Sequence, residues 1–552
     1  MSDFSILQNE RYKYKPRLSS VISGDIGNIK VEFGDSTESI DYRKELKESF
    51  PHTYGKPLAK FVNGENKNVS KKINIGVVLS GGQAPGGHNV ISGLFDSIKS
   101  ANKDSKLFGF LRGPSGIIEG KMIEITKDFI DEYRNTGGFD MIGSGRTKLE
   151  KEDQFDVCIK VCKEKSIDAI VIIGGDDSNT NAALLAEYFI KKDADIRVIG
   201  VPKTIDGDLK NKHIEISFGF DTATKLYSEL IGNICRDARS ARKYWHFIKL
   251  MGRSASHIAL ECALQTQPNI ALISEEVADK QRSINDIVDE IVQTVIIRAE
   301  NKKDFGVVLV PEGLIEYIPE INVLIKEINS LLANHKQYFD TLKTFEDQSE
   351  WINKKLTRDA SYTFSSLPNS IQRQLLMDRD PHGNVQVSRI ETEKLLIELV
   401  EAKLSELKIE GKYNGSFSPL HHFFGYEGRC AFPSNFDTDY CYTLGFTAFL
   451  LISNGITGYM ASVSNLYEKS DKWLAGGVPI VMMMTMESRH GKLKPVIKKA
   501  LVDLNGKPFK TFVNGRNKWA VETCYLYPGP IQYYGDKELC DLTTKTLILE
   551  HS

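Results

Sequence analysis

Five short apolar runs, each followed by a polar, glycine-bearing loop, constrain the fold of this chain more than any other feature. The runs lie at 73–79, 167–173, 196–201, 246–251 and 305–310, and helix-like patterns follow several of the loops. Strands that are buried on both faces of a parallel sheet have unbroken apolar sequences, and helices that connect them cover the sheet. We therefore predict an α/β protein built on parallel sheets.

The length of the chain and an interruption of this pattern predict more than one domain. With 552 residues the chain is too long for one ordinary hydrophobic core, so we expect two domains with additions. Residues 1–70 carry many charges and few apolar runs, which predicts an N-terminal extension on the surface. Residues 315–420 are rich in Leu, Glu, Lys and Asn at helical spacing, which predicts a mostly helical insertion. Near residues 440–451 the sequence again favours a strand.

The composition argues against several functional classes. Apolar residues make up 41% of the chain and charged residues 26%, as in ordinary soluble proteins. A net charge of −2 gives no electrostatic basis for binding nucleic acid or an acidic membrane. We find no signal peptide and no apolar run that could span a bilayer, so we expect a cytoplasmic protein without membrane or nucleic-acid partners. Eight scattered cysteines suit a reducing compartment, and Cys158 and Cys162 are better explained as packed thiols on a helix than as zinc ligands.

Carboxylates follow two neighbouring apolar runs at the predicted edge of the sheet. Asp176 and Asp177 come just after the second run, and Lys203, Asp206 and Asp208 follow the third. Ligands bind at the carboxyl ends of parallel strands, and closely packed like charges need compensation there. The cluster predicts a divalent-cation site, with Asp176 as the metal ligand, or general-base chemistry. The alternative for the first pair is an acidic cap at the start of a helix.

The third loop supplies complementary chemical groups. Asp206 can accept a proton from a hydroxyl nucleophile within hydrogen-bond reach. Lys203 can neutralise charge on a phosphoryl group during transfer, and Thr204 can donate to a phosphate or sugar oxygen. A capped turn, the alternative interpretation, explains one aspartate but not the lysine together with both aspartates.

Other glycine-bearing loops offer candidate ligands for anions. Gly82 lies in the sequence SGGQAPGG, where missing Cβ atoms allow backbone N–H groups to approach an anion closely. This loop is neither a Walker A nor a GxGxxG sequence, and a tight packing turn is the alternative. Arg146, Arg253 and Arg429 suit phosphate because a guanidinium offers paired donors, and Glu312 suits sugar hydroxyls. Each of these residues alone is also consistent with a surface salt bridge.

Taken in order, these loops resemble those of the phosphofructokinase family, and in detail its long-chain, pyrophosphate-dependent branch. The resemblance covers roughly residues 71–480 and implies a phosphofructokinase fold of two Rossmann-like domains with the active site in the cleft between them. The donor domain would comprise residues 71–217 and 428–480, and the fructose 6-phosphate domain residues 218–427 and 481–552, including the insertion 315–420.

The resemblance also implies roles for individual residues. Gly82 would contact pyrophosphate through its backbone, Asp176 would serve Mg²⁺, and Asp206 would be the general base. The candidate substrate ligands further include Arg146, Thr204, Ile205, Asp208, Met251, Gly252, Arg253, Glu312, Tyr426, Glu427, Gly428 and Arg429. Lys243 and Tyr244 would reach the sugar phosphate of a neighbouring subunit, so the active unit would be at least a homodimer.

The predicted phosphoryl donor depends on Asp177 and Lys203, because ATP-using relatives have glycine at both positions. The Asp177 carboxylate would fill the space of a nucleotide α-phosphate and repel it, while Lys203 would stabilise a phosphate of pyrophosphate. The resemblance therefore implies reversible transfer from pyrophosphate to the C1 hydroxyl of fructose 6-phosphate, with Asp206, Lys203 and Asp177 as catalytic residues. One alternative is an ATP-dependent 6-phosphofructokinase. The other is a non-catalytic regulatory subunit of the same fold, and we would expect such a subunit to lack the base or the metal carboxylate.

Overall fold

The computed structural model describes residues 5–66, 69–377, 379, 385–489, 492–536, 540 and 543–552. The chain forms two compact units. The first unit comprises residues 1–223, 426–500 and 531–551, and the second comprises residues 224–425, 501–530 and 552. The chain therefore leaves the first unit after a little over two fifths of its length, builds most of the second, and returns twice.

Strands and helices alternate along much of the described chain. The strands, in chain order, are β1 (Ile29–Ser36), β2 (Pro57–Asn63), β3 (Ile75–Leu79), β4 (Leu107–Phe110), β5 (Met122–Ile125), β6 (Ala169–Gly174), β7 (Arg197–Pro202), β8 (Trp245–Leu250), β9 (Ile270–Ala271), β10 (Gly306–Pro311), β11 (Pro419–Phe424), β12 (Tyr459–Ser464), β13 (Leu474–Pro479), β14 (Met484–Arg489) and β15 (Lys492–Ile497). The helices are α1 (Ile6–Lys13), α2 (Arg43–Ser49), α3 (Gly87–Ala101), α4 (Pro114–Ile118), α5 (Lys127–Asp131), α6 (Glu152–Glu164), α7 (Asp176–Lys191), α8 (Phe220–Ala241), α9 (His257–Thr266), α10 (Ser274–Asp279), α11 (Ile284–Glu300), α12 (Leu314–Tyr317), α13 (Pro319–Phe339), α14 (Phe345–Lys355), α15 (Arg358–Ser366), α16 (Asn369–Met377), α17 (Thr392–Ile409), α18 (Tyr426–Cys430), α19 (Asn435–Ser453), α20 (Lys507–Val521) and α21 (Lys545–Glu550).

The first unit is built on a nine-stranded mixed sheet with the order β1-β2-β13-β12-β7-β6-β3-β4-β5. Its centre, β4-β3-β6-β7-β12, is parallel. Every residue of β3 and β6 is buried, as the unbroken apolar sequences of these strands predict. Antiparallel strands complete both sides of the sheet. The predicted α/β architecture is therefore confirmed, with antiparallel edges that the sequence did not indicate.

The N-terminal residues extend this sheet, although the sequence predicted an extension on the surface. Strand β2 pairs with β13, and β1 forms the outer edge with most of its side chains exposed. The segment that precedes β2 is fixed by the buried Glu187 carboxylate. This carboxylate accepts hydrogen bonds from the backbone N–H groups of His52 and Thr53, both at 3.0 Å, and from Thr53 Oγ1 at 2.7 Å. The exposed charges of the edge strand explain why the sequence suggested a surface segment.

The second unit contains a four-stranded sheet with the order β11-β8-β10-β9, in which all neighbouring strands are parallel. Helices α12 to α17 follow β10, which confirms the predicted helical insertion; residues 378 and 380–384 of that range lie outside the described residues. Lys249 of β8 forms a buried ion pair with Glu393 of α17 at 3.5 Å, and its ammonium lies 4.6 Å from the centre of the Phe423 ring. The insertion is therefore joined to the sheet by a charged contact as well as by apolar packing.

The predicted strand near residues 440–451 is wrong, because these residues belong to α19. Nearly every side chain of α19 is buried, and the helix packs against α3 and the strands of the first unit. A helix that is apolar on all sides shows no amphipathic period, so a short piece of it is easily mistaken for a strand. Among the described helices, none combines the length and the apolar character needed to cross a bilayer.

Candidate functional site

Three loops meet at the carboxyl edge of the parallel strands in the first unit. Strand β6 lies between β3 and β7, so the loops that follow these strands are neighbours. The N–H of Lys203 donates to the Gly174 carbonyl at 3.0 Å. The hydroxyl of Ser178 donates to that of Ser80 at 2.8 Å. These bonds tie the glycine loop, the start of α7 and the loop after β7 into one framework.

Cationic side chains converge on the glycine loop. A Cβ atom on Gly82 would lie 2.8 Å from Nη1 of Arg429 and 3.8 Å from Nη2 of Arg146. Gly81 has a φ of +85°, and a Cβ atom there would lie 3.4 Å from Nζ of Lys203. Glycine allows both the left-handed backbone and the close approach of these cations. The space beside the loop therefore suits a small ligand with several negative charges.

Lys203 is buried at the centre of this group of cations. Burial lowers the pKa of its ammonium to about 8, and the charge of Arg429 acts in the same direction, while Asp206 and Asp176 oppose the shift. Its Nζ also lies 5.8 Å from the centre of the Phe139 ring. A desolvated ammonium among other cations gains most when an anion binds next to it.

Asp206 presents a buried carboxylate oxygen to the same space. Among the residues that the structure describes, no group hydrogen-bonds its Oδ1, which lies 4.0 Å from Nη2 of Arg429. The backbone N–H of Asp206 donates to Oγ1 of Thr204 at 3.0 Å, which fixes the turn that carries the carboxylate. An unpartnered buried oxygen is costly without a ligand, so the geometry suits acceptance of a proton or a hydrogen bond from substrate.

Asp176 and Asp177 are the first two residues of α7, where negative side chains interact favourably with the helix dipole. The N-cap residue itself is Gly175 and no side chain caps the helix, so the two carboxylates belong to the acidic first turn and are not the cap. Each carboxylate also has a lysine partner: Asp176 Oδ2 lies 3.6 Å from Lys499 Nζ, and Asp177 Oδ2 lies 3.4 Å from Lys148 Nζ.

Asp208 completes a group of three carboxylates with Asp176 and Asp206. Burial and the charges of Asp206 and Asp176 raise the pKa of Asp208 to about 7, against the opposing effect of Lys499. Lys499 Nζ lies 3.9 Å from Asp208 Oδ2. The sequence analysis did not identify Lys499, which comes after β15 and belongs to no recognisable motif.

The carboxylates of the first unit fit a hydrated divalent cation. The described residues contain no ready-made cluster of three or more His, Cys, Asp or Glu ligands. Magnesium does not require one, because it commonly keeps several waters and binds through one or two carboxylates together with substrate phosphates. Asp176, Asp208 and the unpartnered oxygen of Asp206 supply such ligands.

The second unit has its own pair of loops at the carboxyl ends of β8 and β10. The N–H of Gly252 donates to Oε2 of the buried Glu312 at 3.1 Å, and Gly252 has a φ of +118°. A Cβ atom on Gly313 would lie 1.9 Å from the carbonyl oxygen of Arg253, so only glycine fits there. Met251 is buried and Arg253 is exposed. The two loops thus hold a carboxylate and a guanidinium at the same edge of this sheet.

The remaining candidates differ in their exposure. Ile205 is fully buried, so only its backbone is available to a ligand. Tyr426 and Glu427 are exposed and Gly428 is buried in the short helix α18 of the first unit. Lys243 and Tyr244 precede β8 in the second unit, with the ammonium 4.9 Å from the centre of the tyrosine ring.

The chain is similar to proteins of one family along nearly its whole length. The profile of the family described as Phosphofructokinase matches residues 74–356. The chain is 56% identical to the pyrophosphate–fructose 6-phosphate 1-phosphotransferase of Treponema pallidum (strain Nichols), over 99% of this chain and 97% of that protein. It is also 56% identical to the enzyme of the same name from Porphyromonas gingivalis, over 99% of each chain, and 53% identical to that of Entamoeba histolytica, over 99% of this chain and 100% of that one.

A solved structure supports the fold independently. The crystal structure of a pyrophosphate-dependent phosphofructokinase from Marinobacter aquaeolei matches with a TM-score of 0.53 and 15% sequence identity, over 86% of this chain and 96% of that one. At this identity the likeness concerns the fold alone. From the profile match and the identity along nearly the whole chain, we conclude that this protein belongs to the phosphofructokinase family.

Proposed function

We propose that this chain transfers a phosphoryl group reversibly from pyrophosphate to the C1 hydroxyl of fructose 6-phosphate, giving fructose 1,6-bisphosphate and phosphate. The observation that carries the proposal is the pair formed by the buried ammonium of Lys203 at the glycine loop and the carboxylate of Asp177 at the start of α7. Relatives that are 53% to 56% identical bear the name of this activity.

On the donor side, the glycine loop and its cations bind pyrophosphate. The backbone at Gly82 approaches the phosphates, and Lys203, Arg146 and Arg429 neutralise their charge. Charge neutralisation by groups that are already in place is the main source of catalysis in phosphoryl transfer. Asp177, held by Lys148, repels a third phosphate and the nucleoside that would follow it.

Asp206 is the general base of the forward reaction. It accepts the proton of the C1 hydroxyl on its buried, unpartnered oxygen while that hydroxyl attacks the phosphorus in line. Arg429, 4.0 Å from this carboxylate, keeps the base oriented and offsets the charge that develops between the sugar and the donor. In the reverse direction Asp206 returns the proton.

We infer that Mg²⁺ is the cofactor and that Asp176 and Asp208 hold it. When bound, the ion would neutralise the pyrophosphate oxygens and help to fix the donor for attack.

On the acceptor side, the loops of the second unit bind the sugar phosphate. Glu312, which is already fixed by the N–H of Gly252, accepts hydrogen bonds from sugar hydroxyls. Arg253 of the second unit supplies paired donors for a phosphate group. We also infer a homodimer in which Lys243 and Tyr244 reach the sugar phosphate of the neighbouring subunit; their position outside the core is consistent with this.

The two rival functions make different demands on the site. A regulatory subunit has no need for a base or for metal carboxylates, yet Asp176, Asp206, Arg253 and Glu312 are all present. An ATP-dependent enzyme needs space for the α-phosphate of the nucleotide at the position that the Asp177 carboxylate occupies. A coupled assay of the purified protein with fructose 6-phosphate, Mg²⁺ and either donor separates the three functions. We expect turnover with pyrophosphate and little with ATP; the reverse preference, or no turnover with either donor, would contradict the proposal.

A further inference from the structure

A lysine that no motif identifies lies among the carboxylates to which we assign the metal. The Nζ atom of Lys499 is 3.6 Å from Asp176 Oδ2 and 3.9 Å from Asp208 Oδ2. Its side chain is 29% exposed. The ammonium thus lies where a cation bound by both carboxylates would have to approach.

The backbone on both sides of Lys499 is fixed, whereas its side chain is long and flexible. The N–H of Ala500 donates to the Asp208 carbonyl at 2.7 Å, and that of Lys498 donates to the Met483 carbonyl at 2.9 Å. These two bonds anchor the backbone on both sides of the Lys499 side chain. A lysine stem has four rotatable carbons, so the ammonium can withdraw by several ångströms without moving the segment.

The charges at this point favour one cation at a time. The ammonium of Lys499 lies 3.6 Å from a carboxylate oxygen of Asp176 and 3.9 Å from one of Asp208, so its positive charge offsets their mutual repulsion. A divalent ion bound to Asp176 and Asp208 would stand close to the ammonium, and like charges at such distances repel strongly in a partly buried site. The lysine and the metal cannot both occupy the space between these carboxylates.

We infer that Lys499 is the counter-ion of the metal-free site. Its ammonium occupies the position between Asp176 and Asp208 that magnesium takes later, and it leaves that position when the metal binds. Lys499 is thus a positioning residue that keeps the metal carboxylates ordered between turnovers and weakens binding of the metal without pyrophosphate. This inference rests on the proposed function, because it takes these carboxylates to be the magnesium ligands.

The first test measures binding of Mn²⁺ alone, by electron paramagnetic resonance, to the wild-type protein and to K499M. We expect K499M to bind Mn²⁺ more tightly by on the order of tenfold, since a competing charge has been removed. The matched control is K498M: Lys498 pairs with Asp41 at 3.2 Å on the surface and should leave Mn²⁺ affinity unchanged. Equal or weaker binding by K499M would overturn the inference.

A second measurement needs no variant. Acylation of amines in the wild-type protein, read by peptide mass spectrometry, reports how available each lysine is. We expect Mg²⁺ alone to increase labelling of Lys499 severalfold and to leave Lys498 unaffected. No increase at Lys499 would contradict the exchange. If the Mn²⁺ binding test or the labelling test fails, the inference about Lys499 is refuted but the result of the donor assay is unaffected. A preference for ATP in the donor assay would refute the proposed function and would not change the metal titration.

Discussion

Lys148 Nζ lies 3.4 Å from Asp177 Oδ2, so the carboxylate to which we assign donor choice is held by a side-chain partner as well as by its helix. The partner comes from the loop that also carries Arg146. One short segment therefore carries both Arg146, which we assign to the donor phosphates, and Lys148, the ion-pair partner of Asp177. The choice of phosphoryl donor would then depend on the Asp177–Lys148 ion pair and not on the Asp177 side chain alone.

Replacing Asp177 and Lys203 together by glycine should shift donor use towards ATP. The double change D177G/K203G removes the negative group from the α-phosphate space and the ammonium that compensates for missing nucleotide contacts. We expect the ratio of kcat/KM for ATP to that for pyrophosphate to rise by at least about 10²-fold, a scale set by burying or removing one well-placed charge. Steady-state kinetics with both donors measure it, and an unchanged ratio would refute the donor argument.

The matched control for that experiment is K148M. This change removes the ion-pair partner of Asp177 and keeps its carboxylate. We expect weaker pyrophosphate use but no gain with ATP, because the repelling charge is still present. Equal gains in ATP use for K148M and the double variant would mean that the loop, and not the carboxylate, sets the choice.

Much of the fold was predictable because its signals are local. The runs that form β3, β6 and β8 are buried at every position and mostly apolar, and each precedes a glycine-bearing loop. The loops after β6 and β7 could be placed together because parallel strands end at one edge. Asp176, Lys203 and Asp206 do lie in the same region of the first unit, as this rule predicts.

Substituting the proposed base should separate chemistry from binding. We expect D206S to lower kcat by at least about 10²-fold, the usual contribution of a positioned general base. KM for fructose 6-phosphate should change much less, because serine still fits the turn fixed by Thr204. Initial-rate kinetics test this, and near-normal turnover would remove Asp206 from the role.

Adding a single methyl group to the glycine loop should disturb the cations around it. In G82A the new Cβ would lie 2.8 Å from Nη1 of Arg429, so the guanidinium must move. A displacement of about 1 Å in a phosphoryl-transfer site can cost about 10²-fold in rate, and we expect kcat/KM for pyrophosphate to fall by about that factor. G24A is the control, since nothing lies within 4 Å of its Cβ. Comparable losses in both variants would point to general destabilisation.

The contacts that could not be predicted join distant parts of the sequence. Arg429 donates to the carbonyl of Gln83 at 3.4 Å although the two residues are 346 positions apart. Lys499, which follows β15, lies next to Asp176 although the two residues are far apart in the sequence. Helix α19 was misread because its burial on all sides hides its period. In each case tertiary packing, which a local pattern does not contain, decides the outcome.

Activity should depend on the protonation of Lys203. Its pKa is lowered to about 8 by burial and Arg429, so the free enzyme loses the ammonium as the pH rises through that value. We expect kcat/KM for pyrophosphate to fall above pH 8. In K203R the guanidinium stays charged and this decline should move to higher pH, even if the overall rate is lower. Profiles that fall at the same pH in both proteins would assign the decline to another group.

The buried ion pair that joins the insertion to the sheet should matter for stability when only one of its charges is removed. Lys249 and Glu393 are both almost fully buried, and within the described part of the chain Oε2 of Glu393 has the ion pair with Lys249 but no hydrogen-bond partner. In K249M the carboxylate remains buried without its cation, which should cost about 3 kcal/mol of unfolding free energy. The double variant K249M/E393L removes both charges and should recover most of that loss.

Urea denaturation measures the free energy of unfolding of both variants. The exposed pair Lys354–Glu350 of the same insertion is the control, and removing one of its charges should change this free energy little. If K249M and the double variant were equally destabilised, the loss would arise from the packing of the Lys249 side chain on Phe423 or from its hydrogen bond to the Ile390 carbonyl, and the ion pair would have no separate role.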